Sequence, residues 1–96
     1  MSDDKTERLE ALKVIVLNVA AVWRGKLPCW TIYYDPLDHP GAWIARLHEA
    51  GADGSIATEN TVEGDFTMLR RIFERAGLTR LSRSNADDLP IVENWM

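Results

Sequence analysis

The chain has 96 residues, of which 46% are hydrophobic and 27% charged, and its net charge is −4. These values are typical of one soluble globular domain. They exclude a protein whose net charge attracts it to nucleic acid or to anionic membranes. The single cysteine, Cys29, excludes an internal disulfide and fits a cytoplasmic location. The longest apolar run, residues 14–17, is far shorter than the roughly 20 residues that span a bilayer, and the acidic start does not resemble a secretory signal.

Residues 4–23 are predicted to form a helix, although residues 14–17 also have strand propensity. Apolar side chains recur at spacings of three and four and form one stripe, consisting of Leu9, Leu12, Val16, Val19 and Trp23, which Ile15 and Val22 widen. Gly25 is a natural helix stop. We expect the stripe to pack on the domain's own sheet, as amphipathic surface helices usually do. The alternative is that this near-heptad stripe pairs with a second copy of itself or with another protein.

The aromatic stretch that follows predicts a hairpin, with one strand at residues 30–34 and its return at residues 42–48. Side chains that alternate by two residues share a face: Trp30, Ile32 and Tyr34 in the first strand, and Trp43, Ala45 and Leu47 in the second. The connecting loop contains Pro36 and Pro40, which fix φ and should make it stiff.

The second half of the chain predicts a short strand at residues 55–58, a connector, and a helix at residues 65–76 capped by Thr61 or Asp65. Gly77 before Leu78 indicates a Schellman-type helix end. Strands at residues 79–83 and 91–95 flank a polar loop at 84–90. Together these elements predict a single α+β domain with two helices and a four- to five-stranded, mostly antiparallel sheet, in the order α-β-β-(β)-α-β-β. Residues 1–26 would be a helical extension of a core at residues 29–96.

Two blocks of residues occur in order along the chain. The first comprises Trp30-Thr31-Ile32-Tyr33, Pro36, Asp38, Pro40 and Ala45-Arg46; the second comprises Gly77-Leu78-Thr79-Arg80-Leu81, Arg83-Ser84, Asp87-Asp88, Pro90-Ile91-Val92-Glu93 and Trp95. The pattern, which covers residues 30–96, resembles a family of small bacterial proteins without an established function. The resemblance implies no activity, but it implies that residues 1–26 are an addition with a partner or dimer role. In this chain Leu89 separates the acidic pair from Pro90, where the resemblance implies an Asp directly before the Pro. The final loop should therefore differ from that of the family.

Two acidic loops are candidates for chemistry. Asp35, Asp38 and His39 could bind a metal or share a proton, with Cys29 and His48 contributing only if the fold brings them close. They have no recognised ligand spacing, so we favour aspartates that cap turn amides. Asp87 and Asp88 are interpreted as solvated or salt-bridged turn residues rather than as the acid pair of a hydrolase.

A basic cluster consists of Arg70, Arg71, Arg75, Arg80 and Arg83. Because guanidinium groups suit phosphate and carboxylate recognition, the cluster could bind nucleic acid or an anionic ligand. We favour a solvated helix face whose charge is balanced by Asp87, Asp88 and Glu93, since the whole chain is acidic.

The sequence contains no phosphate-binding glycine loop, no zinc-protease motif and no nucleophile elbow, so we expect neither catalysis nor a cofactor. The preferred hypothesis is a small, non-enzymatic protein-interaction module whose partner, an unknown protein or a second copy, binds the N-terminal stripe. The alternative is a small nucleic-acid or anionic-ligand binder that uses the arginine cluster. An enzyme built on the Asp38-His39 loop has the least support, and a membrane partner is not expected.

Overall fold

The computed structural model describes residues 2–34, 40–81 and 91–96. Its elements, in chain order, are α1 (Ser2–Trp23), β1 (Leu27–Tyr34), β2 (Trp43–Gly51), β3 (Gly54–Glu63), α2 (Phe66–Arg75), β4 (Arg80–Leu81) and β5 (Ile91–Trp95). The strands form one antiparallel sheet in the order β3-β2-β1-β5-β4. The predicted α+β fold, with two helices and a five-stranded antiparallel sheet, is therefore confirmed.

The strands β1, β2 and β3 form two consecutive hairpins, and each strand is longer than the sequence predicted. β1 pairs with β2 from Leu27 to Tyr34, and β2 pairs with β3 as far as Gly51 and Gly54, which close a tight turn. Gly54 has φ of +104°, a conformation that favours glycine. The short third strand predicted at residues 55–58 is wrong in length, because the ladder with β2 continues to Glu63. β3 lies at the edge of the sheet, where polar side chains can face solvent along a strand.

Helix α2 has the termini that its sequence predicts. Asp65 is the N-cap, and its side chain accepts a hydrogen bond of 2.8 Å from the backbone N–H of Met68. At the other end, the N–H of Leu78 donates to the carbonyl of Phe73, and Gly77 has φ of +82°. These features form a Schellman motif, so both predicted ends are confirmed.

The strand predicted at residues 79–83 is present as β4, which comprises Arg80–Leu81 within the described residues. Thr79 extends the pairing by two backbone hydrogen bonds with Met96, of 2.7 and 3.0 Å. Residues 82–83 and the predicted loop at residues 84–90 lie outside the described residues.

The core lies between the helices and one face of the sheet. Trp30, in the central strand β1, is fully buried. Its ring centroid lies 5.6 Å from that of Phe73 in α2, which lies 5.7 Å from the ring of Trp95 in β5. The Trp30 indole N–H donates a hydrogen bond of 2.8 Å to the side-chain oxygen of Asn18 in α1. One tryptophan thus contacts both helices from the middle of the sheet.

The prediction that the α1 stripe packs on the sheet is wrong. The stripe residues are exposed to solvent: Leu9, Leu12, Val16, Val19 and Trp23. The side of α1 that faces inward instead carries small residues, Ala11, Val14 and Ala21, all of them buried. Because α1 has apolar residues on nearly all sides, its periodicity does not determine which side is buried. Small side chains allow the helix to approach the core closely, which places the larger ones outside.

Helix α1 belongs to the same folded unit as the rest of the chain. Ala11 and Val14 join one hydrophobic cluster with residues of the sheet and of α2. The helix predicted as an extension, residues 1–26, therefore contributes through Ala11 and Val14 to the core of the domain. Within the residues that the structure describes, neither helix has both the length and the apolar character needed to cross a lipid bilayer.

The two sides of α1 should respond differently to truncation. In solutions dilute enough to keep the chain monomeric, Val14→Ala should lower the free energy of unfolding by on the order of 2 kcal/mol, because it opens a cavity in the core. Val16→Ala, two residues away on the exposed side, should change it by less than about 0.5 kcal/mol. Urea denaturation followed by tryptophan fluorescence measures both. Equal effects would contradict the packing of α1 described above.

Candidate functional site

The most prominent surface feature is an apolar face on α1. Seven side chains with exposed fractions between 38% and 85% form it: Leu9, Leu12, Ile15, Val16, Val19, Val22 and Trp23. We call these residues the outer face of α1. From Leu9 to Trp23 the face is roughly 21 Å long at the rise of an α-helix. Monomeric proteins rarely expose a contiguous apolar surface of this size, which makes it the strongest candidate for a binding site.

Two shallow grooves border the outer face of α1. One, of about 370 Å³, lies between the helices and is lined by Arg8, Ala11, Leu12, Ile15 and Arg75. The other, of about 220 Å³, is lined by Asn18, Val19, Val22 and Trp23 near the end of α1. Side chains of a bound partner could enter these grooves and extend the contact beyond the exposed stripe.

Charged groups fix α1 to the rest of the domain. Arg71 of α2 binds the buried carboxylate of Glu7 at 2.5 Å, and Arg75 binds Asp4 at 2.6 Å. Lys13 donates a hydrogen bond of 2.7 Å to the carbonyl of Thr61 in β3. These contacts hold the helix in one orientation, so the outer face is a preformed surface.

The predicted basic cluster is largely engaged within the domain. Arg71 and Arg75 pair with acidic residues of α1, and both Arg70 and Arg80 pair with Glu93 of β5. Arg83 lies outside the described residues. Arg70 and Arg80 also line a polar groove of about 330 Å³ together with Glu74 and Trp95. Four of the five predicted arginines thus have an acidic partner, of which the sequence analysis had named only Glu93.

Glu93 is a buried carboxylate at the centre of this network. It accepts hydrogen bonds from Arg70 and, at 3.0 Å, from the indole N–H of Trp95. Burial alone would raise the pKa of Glu93, but these hydrogen bonds and the charges of Arg70 and Arg80 outweigh burial and lower it. The carboxylate therefore stays ionised at neutral pH and serves as a structural anion between α2 and β5.

A polar array lies on the sheet face opposite the core, and it includes Cys29 and His48, which the sequence named as contributors to a site only if the fold brings them close. Cys29 and His48 are cross-strand partners, and the Tyr33 hydroxyl lies 3.0 Å from Nε2 of His48. Thr31 donates a hydrogen bond of 2.8 Å to the side-chain oxygen of Asn94 in β5. The two-residue alternation of β1 places Cys29, Thr31 and Tyr33 on this face, whereas their partners in β2 and β5 follow only from the pairing of the strands.

The groups of this array are held in their neutral forms. Burial raises the pKa of the Cys29 thiol and that of Tyr33. Burial and the positive charge of Arg46 lower the pKa of His48. A protonated thiol is a poor nucleophile, so the Cys29–His48 pair does not form an activated thiolate. The hydrogen bonds of this array join β1 to β2 through Tyr33 and His48, and to β5 through Thr31 and Asn94.

The acidic loop predicted as a candidate site, Asp35, Asp38 and His39, lies outside the described residues, as do Asp87 and Asp88. In the parts of the chain that the structure describes, no three His, Cys, Asp or Glu side chains come together in a way that could hold a metal ion.

Comparison of the chain with protein-family models, with curated proteins and with solved structures yields no match. The resemblance to a family of small bacterial proteins therefore stays a prediction, and function is inferred from the surfaces described above.

The Glu93 network should make stability depend on pH. Because the pKa of Glu93 is lower in the folded chain than its ordinary value of 4.5, its contribution is present above about pH 4.5 and is lost as pH falls through the folded-state pKa. Glu93→Gln should lower the free energy of unfolding at pH 7 by about 1.5–3 kcal/mol, and its stability should fall less steeply on acidification. Urea denaturation at a series of pH values measures this, with Glu59→Gln on exposed β3 as a control. Parallel pH profiles for Glu93→Gln and the unchanged chain would contradict it.

Proposed function

We propose that this chain is a small, non-enzymatic protein-interaction module that binds another protein chain through the outer face of α1. The observation that carries the proposal is the exposure of seven apolar side chains on a helix whose other side is buried in the core. Burying such a face would remove apolar area from water at no cost in helix formation, because α1 is already held by its own domain.

The size of the outer face supports this proposal. If a fully exposed large side chain presents roughly 200 Å², the exposed fractions of these seven residues correspond to on the order of 800 Å². A standard interface buries about 800 Å² on each partner. If a partner covered the whole outer face, the buried area would match that of a standard interface. We also place the module in the cytoplasm, where its single free cysteine would stay reduced.

A second candidate function is the binding of an anionic ligand or single-stranded nucleic acid. It is favoured by the polar groove that Arg70 and Arg80 line beside Trp95. It has less support than the interaction module because both guanidinium groups already pair with Glu93. Titration of a labelled oligonucleotide at several salt concentrations tests it. Binding that weakens with salt and with Arg80→Ala would favour it, and absence of binding at low salt would refute it.

The change Val16→Lys should abolish association through the outer face, because it places an unpaired charge at the centre of an apolar contact. The variant should stay folded, since Val16 is 64% exposed. Two measurements apply: the mass of the purified chain by light scattering over a range of concentrations, and capture of proteins from native host lysate on the immobilised chain. The unchanged chain should associate with itself or with a captured protein, and Val16→Lys should lose that association.

Ser55→Lys is the matched control, since it adds the same charge at an exposed position of β3. It should associate as the unchanged chain does. Equal association of Val16→Lys and the unchanged chain, or no association of the unchanged chain with any protein, would refute the proposed function.

A further inference from the structure

The geometry of the outer face points to its partner: we propose that it is a second copy of this chain, whose α1 packs antiparallel to the first. This inference rests on the proposed function above and specifies the partner and its orientation. A two-fold axis would pass between Leu12 and Val16, so that each copy buries the same surface.

The pattern of large and small residues along α1 favours the antiparallel arrangement. In that arrangement Leu9 lies opposite the second copy's Val19, and Leu12 lies opposite the second copy's Val16. Every central layer then pairs one leucine with one valine, so the helices can stay at a constant separation. A parallel pair would place leucine on leucine at one end and valine on valine at the other, which leaves the helices too far apart for the valines to pack well.

The ends of the face are also complementary only in the antiparallel arrangement. Lys5 is exposed and lies one turn before Leu9 on the same side of α1, and Trp23 ends the face. Antiparallel packing brings Lys5 against the second copy's Trp23, where the ammonium group can lie on the indole ring. Parallel packing would instead bring Lys5 against the second copy's Lys5, which is repulsive.

Helix dipoles and the position of each domain agree with this arrangement. Antiparallel α1 helices place the positive end of one dipole beside the negative end of the other. The inner side of α1 contacts the domain core, so the second helix can approach only from outside, where Ile15 flanks the two-fold axis. Two heptads are too few to hold an isolated coiled coil. Here the domain already holds α1 in its helical form, which removes the ordering cost that limits short coiled coils.

Disulfide trapping tests the orientation directly. Two variants are made, Leu9→Cys and Val19→Cys, each also carrying Cys29→Ser to remove the native thiol, and one of the two is isotopically labelled. In an antiparallel pair, residue 9 lies close to residue 19 of the second copy. The two copies of residue 9 are separated by ten residues along the axis, roughly 15 Å, which is beyond the reach of a disulfide. After mild oxidation, intact mass should show a disulfide only when the variants are mixed, linking one chain of each.

Each other outcome overturns part of the inference. Disulfides within each variant alone would show a parallel pair and would refute the orientation, while the proposed function would stand. If the unchanged chain keeps the single-chain mass of 10.9 kDa at all concentrations and no disulfide forms, the second copy is refuted as partner. Capture of a different protein that is lost in Val16→Lys would then retain the proposed function, and its absence would refute both.

A second variant separates the two orientations without added cysteines. Lys5→Ala should weaken the antiparallel dimer by about two- to fivefold, because it removes the contact between the ammonium group and the second copy's Trp23. In a parallel pair the same change would remove repulsion between two lysines and tighten the dimer. Dissociation constants from sedimentation equilibrium give the direction. Glu59→Ala, at an exposed position of β3 away from α1, is the control and should leave the dissociation constant unchanged.

Discussion

The position of Trp30 constrains the rest of the structure. It lies in the central strand, with Phe73 of α2 against its ring and Asn18 of α1 accepting a hydrogen bond from its indole nitrogen. A buried tryptophan needs a partner for its N–H, and here the partner is the one polar side chain in the apolar second half of α1, residues 14–23. That bond, together with the Arg71–Glu7 ion pair, sets the rotation of α1 about its own axis. With Asn18 facing inward, Val16 lies on the opposite side of the helix and is exposed, as is Val19.

Much of the fold could be predicted from local signals. The aromatic and β-branched stretch from Trp30 indicated a hairpin, and Asp65 and Gly77 indicated both ends of α2, because caps and turns depend on a few neighbouring residues. The orientation of α1 could not be predicted in the same way. Its periodicity identified which residues share a side, but only long-range contacts, with Trp30 and Arg71, determine which side is buried.

For the candidate sites too, residues close along the chain could be predicted together, whereas partners from distant segments could not. The sequence identified the arginine cluster, since its members are close along the chain. It did not identify Glu7 and Asp4 as partners of Arg71 and Arg75, because these lie in another helix. The polar array of Cys29, His48 and Tyr33 likewise forms only when β1 and β2 pair. The α1 stripe itself was recognised from its spacing, and the structure changed its interpretation from a core surface to an exposed one.

The sheet order has a consequence for how the chain folds. β1 lies between β2, its neighbour along the chain, and β5, whose Asn94 bonds to Thr31 from 63 residues away. The β1–β2–β3 meander can form from nearby segments, whereas docking of β5 closes a long loop and brings Trp95 into the core. We therefore expect β5 to dock late in folding. Until then, the edge of β1 that pairs with β5 in the folded chain is unpaired, and Trp30 lies beside it. β5 therefore also protects the central strand from pairing with another chain.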